Sequence, residues 1–476
     1  MLLSFRLPSS RWSSSQLFVR IHSPLCSRPP VPVPNPSQSY FTNRTQTNAR
    51  APTESESTTP APAPVRSIYI STSTNPYFNL SLEDWLFRHA PSHRPLLLLY
   101  RDDPCVVVGR NQNPWKEVNF RALDALNRNR NQGEGMGIPF IRRRSGGGTV
   151  YHDLGNTNFS IHLPRASFDK HKTAQIVLRA VRSLGIPGAY VNERNDICVE
   201  GEKVSGSAYK IVNKRAYHHG TMLISTRLDT LGEVLRPGKD KETMETKGVA
   251  SVRSPVRNLQ YYHPAVTHQG FVDAVVREFR EEYGIGIGEN GGEDEDELQI
   301  VNEEGGYRYR DVDYIRTGMA ELPSWEWAYG QTPEFTYSVR KEFDWGMVSA
   351  KIRSKHGVIL DCDCSVESLN PNLNPNVNLE EGGDLQLHLH KISDLFKGRR
   401  YGFAFSSADP ETETQARAGL DAEAASKGNA ELDVDISGTD MHVAQSRMNA
   451  MVSYGISPAP GPMNDIVRWL DEEVMR

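Results

Sequence analysis

The stretch Arg142-Arg143-Arg144-Ser145-Gly146-Gly147-Gly148-Thr149-Val150-Tyr151-His152-Asp153-Leu154-Gly155-Asn156 runs three arginines into three consecutive glycines. Strand-like residues flank it, Pro139 to Arg143 before and Thr149 to His152 after. Glycines let the backbone take positive φ and come close to a ligand. Successive exposed amides then make a concave donor set for a phosphate or carboxylate. Neighbouring arginines add charge and bidentate hydrogen bonds. The same residues also suit a hairpin turn with a solvated basic flank. The run alone does not choose between the two.

Three further blocks lie downstream: Arg194-Asn195-Asp196 through Lys203-Val204-Ser205-Gly206-Ser207-Ala208-Tyr209, then His218-His219-Gly220-Thr221, then Lys247-Gly248-Val249-Ala250-Ser251-Val252-Arg253-Ser254. Upstream stands Arg110-Asn111-Gln112-Asn113-Pro114-Trp115-Lys116-Glu117. Taken on its own, Lys203 reads as a solvated hairpin lysine, the usual fate of that residue. An Asn-Asp pair such as Asn195-Asp196 is a common turn. Adjacent histidines suit a strand with one ring turned outward.

In this order the blocks resemble the lipoate–protein ligase A family, of the mitochondrial, fungal lipoyltransferase/ligase type. Ser324-Trp325-Glu326-Trp327 to Gly330-Gln331 is similar to that family's accessory domain, and the last helix to its terminal helix. The resemblance covers roughly residues 67 to 370 plus that helix. It implies an α+β fold: a biotin/lipoate ligase-like catalytic domain with a mixed sheet flanked by helices, and a small α+β accessory domain. It implies activation of (R)-lipoate by ATP with Mg²⁺. The lipoyl group then passes to one lysine of lipoyl domains, on 2-oxoacid dehydrogenase E2 subunits and glycine cleavage H protein. It makes Lys203 the catalytic residue, in contact with ATP and lipoate. Arg143, Gly148, Thr149, Val150 and Tyr151 become nucleotide contacts. Ser145, Gly146, Gly147 and His219 line the lipoate site. Lys247, Gly248, Ser251 and Val252 belong to a loop closing over the adenylate. Arg144 departs from the family, which often has a small polar residue there, and takes no role. Metal ligands are not assigned, although Asn195 and Asp196 are candidates to orient a metal or ribose. Trp85, Val108 and Val150 are candidate groove walls, with core packing the first reading of Trp85.

The chemistry gives Lys203 its task. A carboxylate must meet a triphosphate, and both are negative, so a compact positive charge is needed where they approach. Loop closure would shield a hydrolysis-prone mixed anhydride. The first rival reading is a lipoyl or octanoyl transferase that takes its acyl group from a thioester or acyl-protein. The second is a non-catalytic carrier on a degenerate ligase fold, against which Lys203 and Gly146 to Gly148 stand. Biotin ligation is disfavoured, because that family's shorter glycine-arginine motif is absent.

The bulk figures bound the rest. A net charge of -5 over 476 residues excludes a nucleic-acid binder by charge alone. The longest apolar run, Pro95 to Tyr100, is strand-sized, so no membrane span is expected. A monomer is expected. The five cysteines are scattered, which argues for a reducing compartment. Cys362 and Cys364 alternate in a strand-like run and have no partner pair to complete a zinc set.

Residues 1 to 66 are rich in arginine and serine, with no acidic residue before Glu54. That is the pattern of a mitochondrial transit peptide with a disordered linker, so the expected location is the mitochondrial matrix. The catalytic domain is expected over 67–284 and an acidic insertion and linker over 285–320. The accessory domain is expected over 321–476, with a low-complexity stretch at about 408–443. Helices are expected over Pro76–His89, Val118–Arg130, Thr173–Leu184, Pro264–Tyr283 and Ile466–Val474, from apolar periodicity and Gly or Pro stops.

Overall fold

The computed structural model describes residues 66–131, 137–236, 238–285, 297–303, 309–369, 382–403 and 436–475. Nearly all of the segment expected to be a transit peptide therefore lies outside the described residues, as do most of the acidic stretch and most of the low-complexity stretch.

In chain order, β1 (Ile68–Ser71) leads to α1 (Pro76–His89), β2 (Leu96–Tyr100), β3 (Cys105–Val108), the single turn α2 (Pro114–Glu117) and α3 (Phe120–Asn131). β4 (Phe140–Arg142) and β5 (Val150–His152) flank the glycine loop. Next come β6 (Asn156–Pro164), α4 (Lys170–Ser183), β7 (Tyr190–Val191), β8 (Ile197–Val199), β9 (Glu202–Lys203), β10 (Ser205–Val212) and β11 (Arg215–Leu223). They lead to α5 (Leu228–Val234), β12 (Met244–Thr246), α6 (Leu259–Tyr262), α7 (His268–Tyr283), β13 (Leu298–Val301), α8 (Asp313–Glu321) and α9 (Trp325–Ala328). Last are β14 (Phe335–Phe343), β15 (Gly346–Lys355), β16 (Val358–Leu369), α10 (Gly382–Phe396), α11 (Ile436–Ser453) and α12 (Pro462–Met475).

Local signals set the element ends. Asn75 caps α1 by accepting from the Tyr77 and Phe78 amides, with Pro76 at the first position. Asp169 caps α4 and Thr267 caps α7 in the same way. Gly284 ends α7 in the left-handed conformation, φ 62°. The helix expected from Pro264 thus begins at His268, because the Thr267 cap overrides the apolar pattern before it.

The central sheet has strand order β10-β11-β6-β2-β1-β13. β1 pairs parallel with β2 and β13, while β2, β6, β11 and β10 pair antiparallel. The fold is therefore α+β with a mixed sheet, as expected. Helices α4 and α7 pack together on one face, and their apolar sides bury Ile176, Val177, Phe271 and Val275 against Leu97, Leu99, Phe159 and Ile161. The opposite face carries α1 and a small sheet ordered β4-β3-β5. The site lies on that side.

Two expectations change. Leu298–Val301, expected to be linker, is the edge strand β13, pairing with β1 along its whole length. Arg94 and Glu297 clamp its start. Helix α8 packs against α1 and buries Ile315. Four residues beside a run of Gly, Glu and Asp carry too little periodicity to announce a strand. The second change is α11, whose first half overlaps the expected linker at 408–443.

The C-terminal part is a second layer with its own core. β12, β14, β15 and β16 form an antiparallel sheet covered by α10 and α12, around Tyr337, Ile352, Ile392 and Trp469. Cys362 and Cys364 are free thiols in β16, with sulfurs 3.9 Å apart. Arg142 ties the two layers. It is fully buried, donating to the carbonyls of Gly109, Arg110, Gln112 and Ala328 and to Thr332. Trp327 Nε1 returns a hydrogen bond to the Arg142 carbonyl at 2.7 Å.

Candidate functional site

Two cavities adjoin between the central sheet and the glycine loop. The larger measures about 590 Å³ and is lined by Lys116, Tyr151, Leu231, Arg236, Arg253 and their neighbours. The smaller measures about 280 Å³ and lies over Leu80, Val107, Ala208 and His219. Lys203, Thr149, Val150, Gly206, Thr221 and Ala250 to Val252 line both. Lys203 thus stands at the junction.

Its position is fixed by backbone on both sides. The Lys203 amide donates to the Pro255 carbonyl, and its own carbonyl accepts from the Arg257 amide. The ammonium pairs with Asp196 at 3.0 Å. Asp196 also accepts from the Ser207 amide, so it is held from a second strand. Asn195 is in the left-handed region, φ 61°, which turns the chain so that Asp196 faces inward.

The glycine loop is shaped by Arg143. Its guanidinium donates to Ser145 Oγ and to the carbonyls of Gly146, Gly148 and Val107. Burial pulls its pKa down to about 10, still well above neutrality, so it stays charged. The resemblance casts Arg143 as a nucleotide contact; here its bonds go to the loop, whose carbonyls it gathers. The amides of Gly146, Gly147 and Gly148 have no hydrogen-bond partner among the described residues. Gly147 and Gly148 line the smaller cavity, whereas Ser145 and Gly146, also expected at the lipoate site, line neither; bare consecutive amides of this kind are suited to an anion. Thr149 donates its amide to Ser251 Oγ and its hydroxyl to Gln112 Oε1.

His219 lines the smaller cavity. Its Nδ1–H donates to Glu83 at 3.0 Å, and its Nε2 accepts from Ser145 Oγ at 2.8 Å. Burial pushes the Glu83 carboxyl up, but His219, His162 and Ser160 together outweigh burial and hold it below the usual value. Glu83 went unnoticed in the sequence. The available signal was a carboxylate three residues after Leu80, on the buried side of α1.

The loop Lys247 to Ser254 splits in two. Ser251 and Val252 line both cavities, and Ser251 is a hub that accepts from Gln112 Nε2 and donates its amide to Glu117. Gln112, fully buried, also bonds the Val249 carbonyl. Lys247 and Gly248 line neither cavity. The Lys247 side chain is 73% exposed and pairs with Glu334 of the C-terminal layer. Gly248 is needed for close approach, since a Cβ there would lie 2.8 Å from the Asn111 carbonyl.

Three other expectations resolve. Trp85 stacks on His89 and meets Tyr309 edge-on, away from both cavities. Val107 faces the smaller cavity in place of Val108, a one-residue parity that sequence alone leaves open. Val150 lines both cavities as expected. Arg144 turns outward, stacking over Trp327 and pairing with Glu321.

Buried, neutral histidines flank the site and make it acid-labile. Burial lowers the His162 and His218 values to about 3. A folded value below the free 6.5 means the stabilisation is complete above that pH and is lost as pH falls toward 3. Asp84 acts in the same direction at lower pH: burial raises its carboxyl, but Lys210, Tyr314 and Arg88 hold it at about 2. The melting temperature should therefore fall steadily from pH 6.5 to 3. His218→Gln, which can keep the bonds to Thr173 and Ser207, should flatten that slope. A slope unchanged in the variant would remove His218 from the account.

Residues 75–280 match the family of the lipoyl protein ligase A/B catalytic domain. This segment is similar to the lipoyl protein ligase A/B catalytic domain. The match spans the glycine loop, Lys203, His219 and the loop at 247–254. Solved structures with similarity include P. falciparum LipL1 in complex with lipoate, at 22% identity over 74% of this chain and 98% of that one, TM-score 0.47. A bipartite lipoate protein ligase with its E2 lipoyl domain, from Thermoplasma acidophilum, shares 24% identity over 58% of this chain and 98% of that one, TM-score 0.43. Lipoate-protein ligase A bound with ATP shares 24% over 56% and 98%, TM-score 0.40. The central sheet extends past the matched segment at both ends, since β1 and β13 fall outside residues 75–280.

Proposed function

We propose that this protein is an ATP-dependent lipoate–protein ligase of the mitochondrial matrix. The observation that carries the reading is the placement of Lys203 where two unequal cavities meet. The larger is basic at its rim, with Lys116, Arg236 and Arg253, and suits a nucleotide. The smaller has Leu80, Val107, Val150 and Ala208 among its walls and suits an acyl chain. In the first step a carboxylate oxygen of lipoate attacks the α-phosphorus of ATP, and the bond to the β-phosphate breaks to release pyrophosphate. Lys203 offsets the charge of both partners as they approach. The unpaired amides of Gly147 and Gly148, at the smaller cavity beside Lys203, supply further donors for an anionic group there. In the second step the amine of an acceptor lysine attacks the acyl carbon and AMP leaves.

Mg²⁺ commonly joins one or two carboxylates to substrate phosphates. Glu117, which lines the larger cavity, and Asp196, which pairs with Lys203, are the carboxylates that would hold it, and Mg²⁺ would lower the charge of the triphosphate. The acceptors are lipoyl domains of 2-oxoacid dehydrogenase E2 subunits and glycine cleavage H protein.

The test is the acyl source. Free lipoate with ATP and Mg²⁺ should modify a single lysine of an apo lipoyl domain, read by mass spectrometry. Acylation only from a thioester or a preformed acyl-adenylate would sink the ligase reading and leave a transferase. Location is tested separately. A chain starting at Arg66 should ligate as well as the full chain but fail to enter isolated mitochondria. Equal import of both would remove residues 1–65 as the address.

A further inference from the structure

Glu83, His219 and Ser145 stand in one line that runs from α1 through β11 to the glycine loop. His219 Nδ1–H donates to Glu83 Oε1 at 3.0 Å, and Ser145 Oγ donates to His219 Nε2 at 2.8 Å. Tyr217 packs on the imidazole, with ring centroids 5.0 Å apart, and steadies its plane. A serine, a histidine and a carboxylate in this order make the nucleophilic triad of hydrolases. Here the serine does not reach a substrate. Ser145 is 1% exposed and lines neither cavity. Its oxygen also accepts from Arg143 Nε at 3.0 Å. The line therefore ends on an arginine, not on a reacting carbon.

That arginine sets the peptides of the loop. Backbone bonds tie the two ends, the Arg110 amide to the Ser145 carbonyl and the Thr149 amide to Ser251 Oγ. Between those ties, the carbonyls of Gly146 and Gly148 both accept from Arg143 Nη2, at 2.6 and 2.7 Å. In a planar trans peptide the carbonyl and the next amide point in opposite directions. Drawing the Gly146 carbonyl to Arg143 therefore turns the Gly147 amide away from it. The Gly147 carbonyl lies against Gly109, where an added Cβ would come within 2.1 Å, and this does the same for the Gly148 amide. Glycine has the freest backbone of any residue, so these peptides keep one orientation only while Arg143 keeps its own.

Charge runs along the same line. Arg143 is buried, and no carboxylate forms an ion pair with it among the described residues. A buried cation with no compensating charge is costly. Glu83, 3% exposed, is the carboxylate that favours the charged guanidinium, acting across His219 and Ser145.

We infer that Glu83 is a positioning residue: through His219, Ser145 and Arg143 it holds the glycine loop with the Gly147 and Gly148 amides open at the smaller cavity. This rests on reading that cavity as the seat of the acid. It adds what keeps the anion donors of that seat in place.

The experiment is calorimetric titration of the full chain with lipoate, without ATP. The variants are Glu83→Leu, Glu83→Gln, Ser145→Ala and the double variant Glu83→Leu, Ser145→Ala. Glu83→Leu and Ser145→Ala should each weaken binding about tenfold. Glu83→Gln keeps an acceptor for Nδ1–H and should recover at least threefold of the loss. Residues 83 and 145 act through one line, and a line once cut is not cut again. The double variant should therefore bind within about threefold of the weaker single one, whereas independent effects would multiply to roughly a hundredfold. A hundredfold loss overturns the inference. So does a folded Ser145→Ala with wild-type affinity, or a Glu83→Gln as weak as Glu83→Leu. If Glu83→Leu does not fold, Ser145→Cys joins Ser145→Ala. The thiol still donates weakly to His219 and should recover threefold or more, and equal affinities of the two overturn the inference. A fluorophosphonate should leave Ser145 unlabelled; labelling there would make it a nucleophile and end the positioning role. Pyrophosphate release, measured in parallel with ATP, reads the ligase assignment separately. The expected affinities without pyrophosphate would sink that assignment and leave the positioning role standing. Wild-type pyrophosphate release with a hundredfold loss in the double variant would do the reverse. Wild-type protein that binds no lipoate overturns both.

Discussion

Replacing Lys203 by alanine should abolish adenylate formation while the fold survives. The ammonium is the positive charge placed at the boundary between the two cavities, so both anions lose their common counter-charge as they approach. Removing an electrostatic contact made at the reacting centre typically costs on the order of 3 kcal/mol, roughly a hundredfold in rate or more. The variant carries one complication. Asp196, whose side chain is 4% exposed, loses its ion partner, and an unpaired buried carboxylate destabilises by itself. The double variant Lys203→Ala, Asp196→Asn removes both charges and keeps a group able to accept from the Ser207 amide. Near-normal pyrophosphate release from either folded variant would end the assignment.

The second large effect is expected from Gly147→Val. Gly147 has φ 88°, a conformation that a β-branched residue resists. An added Cβ would also lie 2.8 Å from Ala208 Cβ and 2.9 Å from Arg143 Nη2. The loop must move, and with it the three unpaired amides. Strain of this kind costs about 1–3 kcal/mol locally, a modest share of the stability of a domain with so large a core. Because the moved loop carries Thr149 and Val150, which line the larger cavity, ATP affinity should fall more than tenfold while the melting temperature drops by only a few degrees. Normal ATP affinity with collapsed stability would make the loop a structural turn, the reading that its sequence alone left open.

Much of the frame was legible because it depends on local chemistry. Pro76 and Gly284 mark helix ends through φ preferences that act within a residue or two, and α1 runs from Pro76 to His89 as expected. The glycine loop lies between two strands, also as expected. What escaped depends on partners distant in sequence. Glu83 has its meaning from His219, 136 residues away. The choice of Val107 over Val108 turns on strand parity, which short apolar runs do not encode. Arg143 sits beside the glycines as the motif suggests, but which way its guanidinium points is decided by four acceptors on the loop and on β3. Leu298–Val301 becomes a strand only because β1 offers an open edge.

That edge has a consequence for anyone cutting the chain. A fragment trimmed to the matched segment, 75–280, begins after β1 and stops before β13. It would leave one side of β2 with bare amides and carbonyls along Leu96 to Tyr100, residues that are almost wholly buried in the intact fold. An unprotected apolar strand edge templates association with its own copies. Such a fragment should come out of expression as aggregate, whereas one reaching from Arg66 through Asn302 restores both missing ladders. The same arrangement delays folding on the ribosome: the central sheet opens with residue 68 and can close its edge only after residue 301 has emerged.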